Sequence, residues 1–364
     1  MLKHKEQWEK ELDTSLLKME KGFIKNQGIE KISERVAKWP ALAGLTAEDI
    51  KVIEFGDQKP DELFYRDADR TFADETNKKE LIQILTYLKH QFGDYQQGLS
   101  FVTSFFMLTM DSKENIALMV KINNMLPGFW KHEAIGFGTS AFTFYHILSE
   151  TNPKITDHLS KNLIDAGTFC QRWFLGLCVH LLPFEYLFDF IEAFLQGGLE
   201  YLYQFGLSLF HVLEDRILLA NNPNTIFALL RLDEEEITDA KIFRQILDNT
   251  SKYDIKKYDL KAIDADVYER HLKKRIESAH KVIAQAVVID DCQWCNDNLP
   301  EFYCVDCKQV FCEDCLNDDS KVPEDHTDAH ETISMEEYET NVDKYTAKSE
   351  EVESLAVTLQ DLTV

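Results

Sequence analysis

An arginine and a glutamine are marked out by their types and by their neighbours. Arg70 sits near the end of Phe64-Tyr65-Arg66-Asp67-Ala68-Asp69-Arg70-Thr71, and Gln97 follows it by 27 residues in Tyr95-Gln96-Gln97-Gly98. A guanidinium neutralises charge developing on phosphoryl oxygens, and a carboxamide orients an attacking water. A slow nucleotide hydrolase lacks or misplaces these two groups, so the pair points to phosphoryl-transfer chemistry assisted in trans. Asp67 lies one helical turn before Arg70, placed to hold the arginine or the adjacent backbone, or to cap the helix. Tyr95 reads as packing against or orienting the Gln97 loop, and Gly98 as allowing close backbone approach. Arg35 reads as a structural or partner-contacting cation.

A second constellation lies near the other end of the chain. Cys292, Cys295, Cys304, Cys307, Cys312, Cys315, His326 and His330 supply eight soft or borderline ligands, enough for two tetrahedral zinc ions. Cysteines two residues apart can bind one metal from a single tight turn. Only four residues separate Cys307 from Cys312, which leaves little chain to close one site before the next opens. The spacing therefore predicts an interleaved cross-brace: Cys292, Cys295, Cys312 and Cys315 on one ion, Cys304, Cys307, His326 and His330 on the other. Neither site leaves an open position, so both ions are expected to be structural. The spacing resembles a B-box zinc finger with Phe302-Tyr303 and Val310-Phe311 as its small core. A ZZ module is the nearest rival, with a longer third gap, and a RING fits less well because a histidine in the middle pairs is absent. The first residues carry Lys3, Lys5, Glu6 and Glu9 rather than a signal-peptide pattern, so a reducing cytoplasm and metal rather than disulfides are expected. Cys170 and Cys178 lie in apolar helical context and read as core residues.

The elements that must position these groups read as helices. The Phe-rich runs 101–108 and 142–148 carry polar residues at intervals suited to buried helices, and the 364 residues include only 14 Gly and 8 Pro. The longest apolar run, 173–188, is broken by His180, Pro183 and Glu185, so no membrane span is expected. Charge is unevenly spread: of the net −25, residues 290–364 contribute −17 and the first 289 residues −8. This acidity argues against nucleic acid and against an anionic membrane surface as partners. It leaves a solvated acidic end or a docking surface for a basic partner. Trp8, Leu12, Leu16 and Met19 form an apolar stripe at helical spacing, as do Leu272, Ile276, Ala279, Ile283 and Ala286.

The residues around Arg70 and Gln97 resemble those of the TBC-domain family of Rab GTPase-activating proteins. Asp67, Arg70, Thr71-Phe72 and Tyr95-x-Gln97-Gly98-Leu99-Ser100-Phe101 carry the likeness. It extends upstream to Gly28-Ile29, Arg35, Trp39, Leu42 and Gly44-Leu45. Downstream it includes Pro153, His158-Leu159, Trp173-Phe174-Leu175, Leu182-Pro183 and the segment 191–198. The chain departs from the family pattern at Phe64, Ala73, Gln96, Ile191-Glu192 and Gly197. The changes in the 191–198 segment and at Gln96 read as packing or scaffold changes.

The resemblance implies an all-α, two-lobed helical TBC domain, followed by the small cross-brace zinc-binding module. The expected organisation is an N-terminal amphipathic helix at 1–27, the TBC domain at 28–231, a charged helical linker at 232–289, the B-box-like finger at 290–331 and an acidic tail at 332–364. It implies an activator with no hydrolase activity of its own, supplying Arg70 and Gln97 in trans to a Rab-type small GTPase in its GTP form. Mg2+ and GTP would enter only as part of that GTPase. The zinc finger and acidic tail would engage a protein scaffold, with recruitment to a vesicle, cytoskeletal or ciliary assembly left open. The alternative is a non-catalytic adaptor that keeps the TBC fold as a binding surface.

Overall fold

In the computed structural model the described residues are 27–96, 98–131, 134–233, 235–274, 276, 292, 294–295, 300–307, 309–317, 326–327 and 329–340. Gln97, the N-terminal stripe at Trp8 to Met19, and Ala279, Ile283 and Ala286 lie outside them. The chain divides after Leu272 into two compact units.

Helices make up the first unit: α1 Ile29–Val36, α2 Trp39–Leu42, α3 Ala47–Lys51, α4 Glu62–Thr71, α5 Glu75–Phe92, α6 Gly98–Met107 and α7 Ser112–Met125. There follow α8 Ile135–Thr151, α9 Pro153–Lys161, α10 Ala166–Phe174, α11 Phe184–Leu219, α12 Pro223–Leu230, α13 Lys241–Asn249 and α14 Leu260–Val267. Short polar residues start most of them. Asp61, Asp74, Asp111 and Asp165 each accept first-turn backbone N–H groups that would otherwise lack an acceptor. Aromatic side chains fill the centre. Phe144 packs among Phe169, Trp173, Phe174, Tyr203 and Phe210, while Trp39 packs among Phe105, Phe106 and Phe188. The long α11 is kinked at Gly198, whose φ of 54° with ψ of −137° breaks the helical path between its two halves.

The first unit runs past the boundary expected from composition. Residues 241–272, part of the span read as a charged linker, pack on the other helices. One face of α13 buries Ile242, Phe243, Ile246 and Leu247. Ser208 Oγ on α11 donates to the Ile246 carbonyl at 2.5 Å, and Gln204 Nε2 donates to the Tyr253 carbonyl at 2.8 Å. Thr143 Oγ1 on α8 donates to Asp264 Oδ1 on α14 at 2.5 Å. Four apolar residues on one stripe are enough to dock a nine-residue helix, whatever its average charge.

The second unit is built on β1 Phe302–Cys304, β2 Gln309–Phe311, α15 Glu313–Leu316, β3 Thr332–Ser334 and α16 Met335–Thr340. Its three strands are antiparallel in the order β2-β1-β3, with Phe302 opposite Phe311 and Tyr303 opposite Val310. Alternation sorts the side chains. Cys304 and Phe311 face a cluster with Cys292, Cys312 and Cys315, whereas Tyr303, Val310, Ile333, Met335 and Tyr338 form another. Residues 332–340, read as the start of an acidic tail, are thus a strand and a helix of this unit. Glu336 and Glu337 are exposed while Ile333, Met335 and Tyr338 are buried.

Candidate functional site

Arg70 lies near the C-terminal end of α4, with its side chain half-exposed. The buried face of this helix carries Phe64, Asp67, Ala68 and Thr71, so Asp67 points inward beneath the arginine. Its carboxylate is divided between two donors: Arg70 Nη2 donates to Oδ1, and the Tyr95 hydroxyl donates to Oδ2. Asp67 is 1% exposed, and removing a carboxylate from water is tolerated here because both oxygens are bonded. Tyr95 meets Phe64 edge to face at 4.9 Å. Burial, followed by the Asp67 charge and hydrogen bond, pushes the Tyr95 phenol well above the usual tyrosine range, so it stays a donor.

The α5–α6 connection joins Tyr95 to the second motif. Asp94 Oδ1 accepts from the Tyr95 N–H at 2.7 Å, and the Leu99 N–H donates to the Gln96 carbonyl at 2.9 Å. Gly98 starts α6 against the end of α10. A Cβ there would lie 2.7 Å from Leu175 Cβ and 3.0 Å from its carbonyl oxygen, so glycine is required. The Leu175 carbonyl is itself fixed by the Trp130 indole N–H at 3.1 Å. Trp130 belongs to no motif of the sequence reading, and its spacing carries no signal of this contact.

Arg35 points into the unit. Its Nε donates to Glu192 Oε1 at 2.8 Å, and its Nη2 donates to Glu192 Oε2 at 2.8 Å and to Asp189 Oδ1 at 2.6 Å. Burial lowers its pKa, but the two carboxylates outweigh that effect and raise it. Trp39 Nε1 also donates to Glu192 at 3.2 Å, and Arg244 pairs with Asp189 at 2.7 Å. Of the two partner readings for Arg35, the geometry supports the structural one. Glu192, read as a packing change, is an ionic anchor.

Arg70 lines neither of the two grooves that flank α4; the larger, about 770 Å³, runs between the 55–60 segment and α5 past Tyr65 and Tyr87. Arg70 is half-exposed at the end of α4 and is held from beneath by a buried carboxylate.

In the second unit, the eight predicted ligands come together as two groups of four. They are Cys292, Cys295, Cys312 and Cys315, and Cys304, Cys307, His326 and His330, with ligand atoms within 4.8 Å of one another. A tetrahedral zinc sets sulfur–sulfur edges of about 3.8 Å and sulfur–nitrogen edges of about 3.5 Å. Cys295 and Cys312 sulfurs lie 3.9 Å apart. Cys307 Sγ is 3.4 Å from His326 Nδ1 and 3.1 Å from His330 Nδ1, and Cys304 Sγ is 3.8 Å from His330 Nδ1. Burial and the neighbouring thiols of Cys312, Cys295 and Cys292 push the Cys315 thiol up, the opposite of what a bound cation does to a ligand. Each group could hold one metal ion. Cys170 and Cys178 are buried in the first unit, as expected.

Comparison with known proteins agrees with the helical architecture. Residues 46–218 match the family model described as the Rab-GTPase-TBC domain. TBC1 domain family member 2B of Mus musculus is 27% identical over 149 residues, covering 40% of this chain and 15% of that protein. A putative GTPase-activating protein of Emericella nidulans is 23% identical over 146 residues, 38% of this chain and 13% of the relative. The match thus spans under a sixth of the length of these relatives. A solved flagellar RabGAP TBC domain of Chlamydomonas superposes with a TM-score of 0.50 at 14% identity, over 68% of this chain and 88% of that one. The first unit has the helical TBC fold. No helix among the described residues is long and apolar enough to cross a membrane.

Proposed function

We propose that this chain, whose residues 46–218 match the Rab-GTPase-TBC domain model, accelerates GTP hydrolysis by a Rab-type small GTPase. The observation that supports it is the Arg70–Asp67–Tyr95 chain, which ties the arginine of one motif to the first residue of the other. Arg70 enters the nucleotide site of the GTPase and spreads positive charge over the transferring phosphoryl group. A trans-acting arginine of this kind raises turnover by roughly a thousand-fold to a hundred-thousand-fold. Gln97 orients the attacking water. GTP and Mg2+ belong to the GTPase, and this chain contributes side chains only.

The second unit holds two zinc ions, one per group, as a B-box-like cross-brace. The donor sets, four thiolates in one group and two thiolates with two imidazoles in the other, suit closed structural sites. This unit and the acidic residues beyond it bind a protein scaffold in the cytoplasm and place the first unit near its GTPase.

Single-turnover GTP hydrolysis across a panel of Rab proteins tests the activity, with Arg70→Ala, Gln97→Ala and the double variant as controls. Acceleration by the wild type, lost in each variant, is expected. If no Rab is accelerated more by the wild type than by the double variant, the chain is instead an adaptor that uses the TBC fold for binding.

A further inference from the structure

Trp130 touches both flanks of the connection that carries the second motif. Its ring stacks on Phe92, the last residue of α5, with centroids 6.4 Å apart and planes at 18°. Its indole N–H holds the Leu175 carbonyl at 3.1 Å, and Gly98, the first residue of α6, is pressed against Leu175. The indole is fully buried. Between these two contacts run only residues 93–97.

The seat at Leu175 is stiff. The Leu175 N–H donates to the Gln171 carbonyl at 2.9 Å, closing α10. Leu177 and Cys178, the second and third residues beyond it, hold left-handed φ values of 43° and 57° while completely buried. Non-glycine residues keep such angles only where the surrounding packing dictates them. The Cys178 N–H donates to the Arg172 carbonyl at 3.1 Å, folding the turn back on α10.

Resting on the proposed GTPase activation, we infer that Trp130 is a positioning residue for the α5–α6 connection, and so for Tyr95 within it, whose hydroxyl holds the Asp67 carboxylate beneath Arg70. It contacts no substrate. By stacking on the upstream flank and bonding the carbonyl that abuts the downstream flank, it fixes the separation of the two ends. Five residues between fixed ends have few ways to run, which limits where Tyr95 lies relative to Asp67 and Arg70.

The test compares the full chain with Trp130→Phe, which keeps a ring for Phe92 but removes the donor to Leu175. Trp173→Phe is the control: it removes the same donor from a buried indole whose acceptor is the Leu230 carbonyl, 3.0 Å away. Single-turnover hydrolysis is measured on the Rab panel at saturating activator. Displacing a catalytic group by about 1 Å can cost about a hundred-fold, so Trp130→Phe should lower the maximal rate by about 10- to 100-fold. Its half-saturating concentration should change less than about two-fold, because docking is untouched. Hydrogen exchange at the Leu99 amide, which bonds the Gln96 carbonyl, should quicken by about ten-fold or more in Trp130→Phe. Trp173→Phe should leave both readouts at wild-type values while lowering thermal stability. A wild-type maximal rate in Trp130→Phe overturns the inference, as does a loss confined to the half-saturating concentration. Should the wild type accelerate no Rab, the proposed function falls, and Leu99 exchange alone decides: wild-type exchange in Trp130→Phe overturns the brace. If Trp130→Phe does not fold, Phe92→Leu, which removes the ring that Trp130 stacks on and leaves the bond to Leu175, must show the same pair of effects.

Discussion

The carboxylate of Asp67 serves two donors that come from different motifs, and neither can be removed without stranding an oxygen in the interior. Tyr95→Phe deletes one donor and leaves Oδ2 buried and unpaired, a loss of about 1–3 kcal/mol in unfolding free energy. Urea unfolding should show it as a lower midpoint at unchanged slope, with slower GTP hydrolysis because the arginine's anchor is loosened. A pH effect accompanies it. The Tyr95 pKa is raised in the folded chain, so the fold favours the neutral phenol. That stability is fully present below the unfolded tyrosine pKa of about 10 and drains as pH climbs from there toward the folded value. The wild type should therefore lose more stability than Tyr95→Phe between about pH 9 and 11. The Asp67–Arg70 contact is legible in the sequence, since residues three apart on a helix face one another. Tyr95 read only as packing or orienting its own loop, because a contact across 28 residues leaves no trace in local spacing.

Among the helices, α1 and α13 are fastened to α11 by charge. Asp189 bonds both Arg35 and Arg244, and Glu192 takes two bonds from Arg35 and one from Trp39. Glu192→Gln keeps the volume but weakens the bidentate pair. With Arg35 and Glu192 each about a third exposed, the expected loss is about 1–2 kcal/mol, discounted for solvent screening. A double-mutant cycle with Arg35→Ala should return most of that as coupling energy, and additive losses would show the pair to be weak. The helices themselves were legible from apolar spacing, and so was the order of the motifs along them. Missing was the fate of residues 241–272: their charge content reads as linker, and the four-residue stripe of α13 acquires meaning only when α11 offers a surface for it. The same holds for 332–340, where Ile333, Met335 and Tyr338, buried among acidic residues, complete a sheet and its covering helix.

At the scale of the molecule, two units rest on different physics. The first buries a large aromatic core, and the second has little core besides its ligand groups. Zinc binding to finger peptides contributes apparent free energies of about 10–16 kcal/mol, so a strong chelator should unfold the second unit while the main thermal transition stays in place. Elemental analysis should find two zinc ions per chain. Cys304→Ser and Cys312→Ser should each release more than one, because the ligands of both sites alternate along the same short stretch. Fully metal-free protein with unchanged near-ultraviolet circular dichroism would refute the structural role. Under the proposed activity, the way Asp67 grips Arg70 also shapes the encounter between this chain and its GTPase. A free arginine surrenders about 0.5–1.5 kcal/mol of rotamer freedom when a complex immobilises it. Arg70, tethered from below during folding, has given up part of that freedom before any collision, so the barrier to forming a productive complex is lowered in advance and the binding surface keeps more of its contact energy for choosing a partner.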